Sequence, residues 1–92
     1  MPISRAEIPA DDAEALIDQL CQRWSGEHAV AKRDAGVEVT FATGSCYLVA
    51  EPDKLVVVVE AVEDEAHDQL EGEVDNTLDA LRGVELDIVW EA

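Results

Sequence analysis

The sequence predicts an α+β fold, a two-layer sandwich in which a mostly antiparallel sheet carries two helices on one face. Two segments repeat apolar residues at helical spacing, and shorter segments between and around them have the apolar patterns of strands. Short turns join most of the strands, which favours antiparallel pairing. The predicted order is β-α-β-β-β-β-α-β, and the 92 residues form one domain, 1–92.

The first strand and the first helix meet at Pro9. Residues 3–8 form a short segment typical of an edge strand, which the proline ends. Asp11 and Glu14 have the spacing of a capping box, so we expect Asp11 to cap the helix. The Ser-Gly pair at 25–26 ends it. The apolar stripe of this helix consists of Ala13, Leu16, Ile17, Leu20, Cys21 and Trp24.

The middle of the chain predicts four consecutive strands. The clearest of them places apolar residues at every second position, as a strand with one buried face does. Turn-forming residues separate the strands. The strands are 29–33, 37–41, 46–50 and 55–61, and the turns are 34–36, 43–44 and 51–54.

A continuous apolar run at 55–59 is the most informative feature of the predicted sheet. Alternate residues of a strand face opposite sides, so five apolar residues in a row indicate that both sides are at least partly covered. In so small a domain a second chain can supply the second cover, and we expect a homodimer through part of this face. Either Val56 and Val58 or Leu55, Val57 and Val59 lie on this second face, with Tyr47 and Val49 beside them. Exposed valines without any partner are the alternative.

The second helix follows three acidic residues, Glu63–Glu65, which suit the positive end of a helix dipole. Gly83 is a natural residue to end it. Gly72 costs about 1 kcal/mol relative to alanine inside a helix, and it either marks close packing or is tolerated. Alternating residues at 84–90 predict the final strand. The apolar stripe of this helix consists of Ala66, Leu70, Val74, Thr77, Leu78 and Leu81.

The charge excludes several classes of partner. Asp and Glu number 22 against 6 Lys and Arg, a formal charge of -16, which repels nucleic acid and anionic membranes. Solubility, as in a high-salt environment, explains such acidity most simply, and a basic partner or a cation is the alternative. The chain has neither a membrane span nor a signal peptide, so we expect a cytoplasmic protein. Its two cysteines are then expected to stay unpaired.

Cys21, His28 and Cys46 form the chain's one set of soft metal ligands. Zinc and iron favour thiolate and imidazole, although such sites usually have four ligands. Cys21 lies on the apolar stripe, which favours an inert core thiol instead. A cysteine nucleophile with His28 as its base is a weaker reading, because the sequence contains no catalytic motif, and we expect no enzymatic activity.

His67 lies among acidic residues at the start of the second helix. With Glu63 and Glu71 it forms a polar face that suits loose binding of a hard cation. A solvated helix face is the simpler expectation.

A set of landmarks spans nearly the whole chain in a fixed order. They are Leu20-Cys21, Trp24 with a nearby histidine, Gly44-Ser45-Cys46 with Leu48 and Ala50, Leu78, and Glu85-Leu86 with Trp90. This order resembles a family of small bacterial domains of unknown function, some of them fused or adjacent to siderophore-interacting proteins, the flavin-dependent ferric-siderophore reductases. The resemblance implies the fold and an accessory role in iron–siderophore handling, such as docking to a reductase or transporter component.

The chain departs from this family pattern at its histidines. Arg23 stands where the family has a histidine, His28 lies later than the family's second histidine, and Thr77 corresponds to a third. If those histidines bind a metal or haem in relatives, this chain lacks most of the ligands. The resemblance therefore implies a fold rather than a site.

We therefore expect a non-catalytic interaction or accessory protein with a protein partner and no cofactor. The alternative is a small metal- or haem-binding domain that uses Cys21, His28 and Cys46. That alternative predicts a pocket between the first helix and the strand of Cys46, with thiols of low pKa.

Overall fold

The computed structural model describes residues 2–33, 36–83 and 88–91. It confirms the α+β class and the predicted order through the second helix. The elements are β1 (Ile3–Pro9), α1 (Ala13–Trp24), β2 (Ala29–Arg33), β3 (Gly36–Phe41), β4 (Gly44–Glu51), β5 (Lys54–Ala61) and α2 (Asp64–Arg82). Neither α1 nor α2 is long and apolar enough to cross a membrane.

The predicted final strand falls partly on residues 84–87, which lie outside the described residues. Residues 88–91 of this segment are described, and they form one antiparallel bridge, between Glu91 and Arg5. The backbone N–H of each donates to the carbonyl oxygen of the other, at 2.7 and 2.8 Å. The end of the chain therefore lies beside the outer edge of β1.

The five strands form one sheet in the order β1-β5-β4-β3-β2, and all neighbours are antiparallel. The apolar run lies on β5, which is hydrogen-bonded on both edges, to β1 and to β4. One row across the sheet places Val57 opposite Ala6 on one side and Leu48 on the other. The register therefore assigns every second residue of β5 to the same face.

Both helices cover the same face of the sheet, and the core lies between the two layers. From β5 the core takes Leu55, Val57 and Val59, each fully buried. The ring of Trp24 meets the ring of Phe41 edge to face, with centroids 5.3 Å apart. The helices contribute the stripes predicted for them, chiefly Leu16, Ile17 and Leu20 from α1 and Leu70, Val74 and Leu78 from α2.

The predicted cap of α1 is wrong. The helix begins at Ala13 with Asp12 at the N-cap, and no side chain caps its backbone N–H groups. The Asp12 carboxylate instead accepts two hydrogen bonds from Arg82, at 2.7 and 3.2 Å, and that guanidinium lowers the pKa of Asp12. A two-pronged, charge-assisted pair competes successfully with a local cap, and it ties the start of α1 to the end of α2.

Three glycines have different roles in this packing. Gly83 ends α2 with a φ of 72°, as predicted. A Cβ at Gly72 would meet nothing within 4 Å, so close packing does not explain this glycine. A Cβ at Gly44 would lie 2.1 Å from the carbonyl oxygen of Glu60 and 2.8 Å from Cδ1 of Leu70. Gly44 is therefore required by the close approach of β5 and α2.

Candidate functional site

The two cysteine thiols are held in their protonated form. Cys46 in β4 is fully buried, and burial raises the pKa of its thiol to about 12. Partial burial also raises the pKa of Cys21, and the nearby Asp18 carboxylate adds to the effect. The thiolate is the form that attacks and that binds metals. This is opposite to the low-pKa thiols expected of a site built on these cysteines.

His28 follows α1 and packs against an aromatic ring. Its imidazole lies on Phe41 with ring centroids 4.2 Å apart, and its Nε2 is 4.0 Å from a carboxylate oxygen of Glu27. Among the described residues, no group of three ligating atoms within 4.8 Å of one another includes His28, Cys21 or Cys46. The three predicted ligands do not form a preassembled site, and a metal or haem bound by them stays a prediction.

A different group of ligating side chains lies on α2. Donor atoms of His67, Asp68 and Glu71 lie within 4.8 Å of one another. His67 and Glu71 are one helical turn apart, with 3.6 Å between Nε2 and Oε2. Both contact Ser4 of β1, whose Oγ is 2.8 Å from His67 Nε2 and donates a hydrogen bond of 2.5 Å to Glu71 Oε2. We call these four residues the His67 cluster.

The His67 cluster is not the freely solvated helix face that the sequence suggested. The side chains of His67 and Glu71 are 12% and 19% exposed, and Ser4 is 4% exposed. Asp68 is exposed, and Glu63 of the predicted polar face is the N-cap residue of α2 and not part of the group. Ser4 lies on the helix-facing side of β1, in phase with Ala6 and Ile8, and this alternation was the one sequence signal for its burial.

The sheet face opposite the helices has no covering layer among the described residues; we call it the open sheet face. Its centre is apolar, with Val56 and Val58 of β5 beside Tyr47 and Val49 of β4. The register thus resolves the alternative left by the sequence in favour of these two valines. Ile3 adds an apolar side chain that is 49% exposed. The other strand residues of this face are Arg5, Glu7, Pro9, Ala29, Ala31, Arg33, Gly36, Glu38, Thr40, Ser45, Glu51, Lys54 and Glu60.

Ion pairs surround the apolar centre of the open sheet face. Lys54 donates to Glu7 at 2.7 Å, and Arg5 lies 3.1 Å from the other oxygen of that carboxylate. Arg33 donates from Nε and Nη2 to Glu38. The hydrogen bond from Lys54 lowers the pKa of Glu7, and that from Arg33 lowers the pKa of Glu38.

The charge of the chain is distributed unevenly. On the open sheet face the five strands carry three basic and four acidic side chains, and Glu91, bridged to Arg5, adds a fifth acid, which leaves a formal charge of -2. The helix α2 carries seven acidic residues and one arginine, a formal charge of -6. The acidity therefore lies away from the open sheet face, which is almost neutral.

A shallow cleft of about 340 Å³ lies between α1 and the ends of β2, β3 and β4. Ile17, Val37 and Ala50 contribute apolar walls, and Lys32 and Asp18 contribute opposite charges. Neither cysteine lines it. The cleft thus lies where a pocket was expected, between α1 and the strand of Cys46, but neither thiol is part of its wall.

Comparisons with known proteins agree on the fold and leave the activity open. The model of a family described as "Uncharacterized protein conserved in bacteria (DUF2218)" matches residues 5–91. The NMR structure of PA4090 from Pseudomonas aeruginosa superimposes with a TM-score of 0.83, covering 99% of this chain and 96% of that chain at 20% identity. No curated protein matches the chain. At that identity the structural likeness shows the α+β fold alone.

Proposed function

We propose that this chain, which belongs to the DUF2218 family of uncharacterised bacterial proteins, is a non-catalytic interaction protein that docks through its open sheet face to a second copy of itself. The observation that carries the proposal is the apolar centre of a face that neither helix covers. The pattern of charge around that centre supports a second copy as its occupant.

The apolar centre has the composition of an interface. Tyr47 is an aromatic side chain with a polar tip, a type enriched at interfaces, and Val49, Val58 and Ile3 extend the apolar area around it. Val56 is only 7% exposed although it lies outside the core cluster, so the accessible apolar area comes mainly from the other apolar residues of this face.

The charge distribution favours a second copy. Two chains of charge -16 repel each other on most approaches, but the open sheet face carries a formal charge of only -2 and presents both signs. Across a twofold axis, Arg5, Lys54 and Arg33 of one copy can approach Glu7, Glu51 and Glu38 of the other. A strongly basic partner would instead be attracted to α2.

The size of the face sets the expected affinity. Five strands spaced about 4.8 Å apart, each about 3.3 Å per residue, give a flat area of roughly 400–500 Å². Stable complexes bury about 800 Å² per partner. We therefore expect a weak dimer with a dissociation constant in the micromolar range.

A link to iron–siderophore handling is the finer part of this proposal. It rests on the order of landmarks in the sequence, and it would make a reductase or transporter component a further partner of the same face. A competition experiment tests this link directly. A purified ferric-siderophore reductase should dissociate the dimer, and Val58→Glu, which places a charge at the centre of the open sheet face, should abolish both interactions. A reductase that leaves the dimer unchanged would restrict the proposal to self-association.

Sedimentation velocity of the whole chain, from 5 to about 500 µM and from low to high salt, tests the proposal. Because salt screens the repulsion between acidic copies, we expect dimerisation to strengthen as NaCl rises from about 0.05 to 0.5 M. Docking to a basic partner would weaken over the same range. A chain that stays monomeric at every concentration and salt level would refute the proposal.

A matched pair of variants locates the interface. Val58→Glu places a charge at the centre of the open sheet face and should abolish dimerisation. Ala15→Glu adds the same charge at an exposed position of α1, on the opposite side of the sheet, and should leave dimerisation unchanged. Circular dichroism checks that both variants fold. Equal loss in both variants, or in neither, would exclude the open sheet face as the contact.

A further inference from the structure

We propose that the His67 cluster is a binding site for a divalent transition-metal ion of the zinc type, with His67, Glu71 and Asp68 as its protein ligands. This site lies between α2 and β1 and involves no residue of the open sheet face. It is therefore independent of the docking role, and either proposal can fail alone.

The spacing of the two inner ligands fits a metal ion. His67 Nε2 and Glu71 Oε2 are 3.6 Å apart. Two ligands at about 2.1 Å from a tetrahedral zinc ion are about 3.4 Å from each other. An ion can therefore bridge the pair with shifts of a few tenths of an ångström. Asp68 lies on the same turn, with a carboxylate oxygen within 4.8 Å of both.

Ser4 is the member of the cluster that fixes the two inner ligands from the sheet. It is a buried polar side chain on the helix-facing side of β1, and its hydroxyl points into this cluster, where both of its hydrogen bonds are made. Zinc bound at His67 Nε2 replaces the Ser4 contact on that nitrogen, while Ser4 keeps its donation to Glu71. A hydrogen bond of this kind, from a residue that does not itself bind the metal, orients a carboxylate ligand.

The cluster also has the burial of a preformed site. The side chains of His67 and Glu71 are mostly buried against β1, so their orientations are already restricted before an ion binds. Less side-chain freedom is then lost on binding. The exposed Asp68 leaves a route for the ion from solvent.

The donors and the local charge select the class of ion. One imidazole with two carboxylates suits zinc and similar transition metals, whereas calcium and magnesium prefer oxygen ligands alone. The single basic residue of α2, Arg82, lies at its opposite end and is paired with Asp12. The negative charge around His67 therefore has no compensating cation on its own helix.

Zinc titration of the metal-free full chain at physiological salt tests the site. Calorimetry should give one zinc ion per chain, and thermal unfolding should shift upward on zinc addition. His67→Ala and Glu71→Gln should each weaken zinc affinity at least tenfold and remove most of the thermal shift. Glu71→Gln keeps a side chain that can accept the Ser4 hydrogen bond, so it remains informative if His67→Ala folds poorly.

The second histidine provides the control. His28→Ala should change zinc affinity by less than twofold, and NMR should show zinc shifting the ring signals of His67 and not those of His28. Absence of saturable binding to the wild-type chain would overturn the proposal. Undiminished binding in both cluster variants, or zinc shifts at His28 and Cys46 instead, would overturn it as well and would support the cysteine site.

Discussion

Replacing Gly44 by alanine tests the packing of β4, β5 and α2 at one atom. The new Cβ would lie 2.1 Å from the carbonyl oxygen of Glu60, where ordinary contact needs more than 3 Å, and 2.8 Å from Cδ1 of Leu70. Backbone must therefore move by about 1 Å, and overpacking of this kind costs about 1–3 kcal/mol or more. For a 92-residue chain the free energy of unfolding is about 5–14 kcal/mol, so the loss is a large part of it.

The same substitution at Gly72 provides the matched control. A Cβ there meets nothing within 4 Å inside α2, so Gly72→Ala should gain helix propensity of about 1 kcal/mol and raise Tm by about 4–8 °C. Urea and thermal unfolding measure both variants. A neutral Gly44→Ala, or a destabilising Gly72→Ala, would refute the packing described for these two positions.

Three further changes have defined outcomes. Leu78 is fully buried, so Leu78→Ala should lower the free energy of unfolding by about 3 kcal/mol in urea titrations, and a loss below 1 kcal/mol would contradict its core position. Desolvation raises the pKa of Asp75, whose Oδ1 accepts a hydrogen bond from Trp90, so its ionised form costs stability at neutral pH. Asp75→Asn keeps the hydrogen-bond acceptor and should raise the free energy of unfolding at pH 7. This gain in stability should disappear as the pH falls below the ordinary carboxyl range, and a gain independent of pH would contradict desolvation of the Asp75 carboxylate as its cause. Because burial raises the pKa of Cys46 to about 12, iodoacetamide at pH 8 should leave Cys46 unmodified in the folded chain and modify it after unfolding, and rapid native modification would show that the thiol is accessible.

Most of the fold could be predicted because local pattern and tertiary packing agree. The apolar stripe from Ala13 to Trp24 became the buried face of α1, and the run at 55–59 became an interior strand. The cap at Asp11 was wrong because α1 begins one residue later, with Asp12 at the N-cap, and the Asp12 carboxylate pairs with Arg82, 70 residues away in the sequence. Local spacing carries no information on a contact of that kind.

The residues of the candidate sites were harder to predict than the fold, because their positions depend on strand register and on tertiary packing. The sequence left open which residues of β5 face away from the helices, and only the pairing with β1 and β4 assigns Val56 and Val58 to the open sheet face. Likewise, His67 and Glu71 could be placed on one face of α2 from their spacing. Their contact with Ser4, 63 and 67 residues away, requires the packing of α2 on β1.

Intermolecular contacts at the open sheet face can be observed directly by NMR. In a mixture of isotope-labelled and unlabelled chains at high concentration and about 0.5 M salt, filtered nuclear Overhauser spectra record contacts between copies only. We predict intermolecular signals from the methyl groups of Val58 and Val49 to the ring of Tyr47, and none from α2. Intermolecular signals confined to α2, or none at any residue of the open sheet face, would contradict docking of a second copy there.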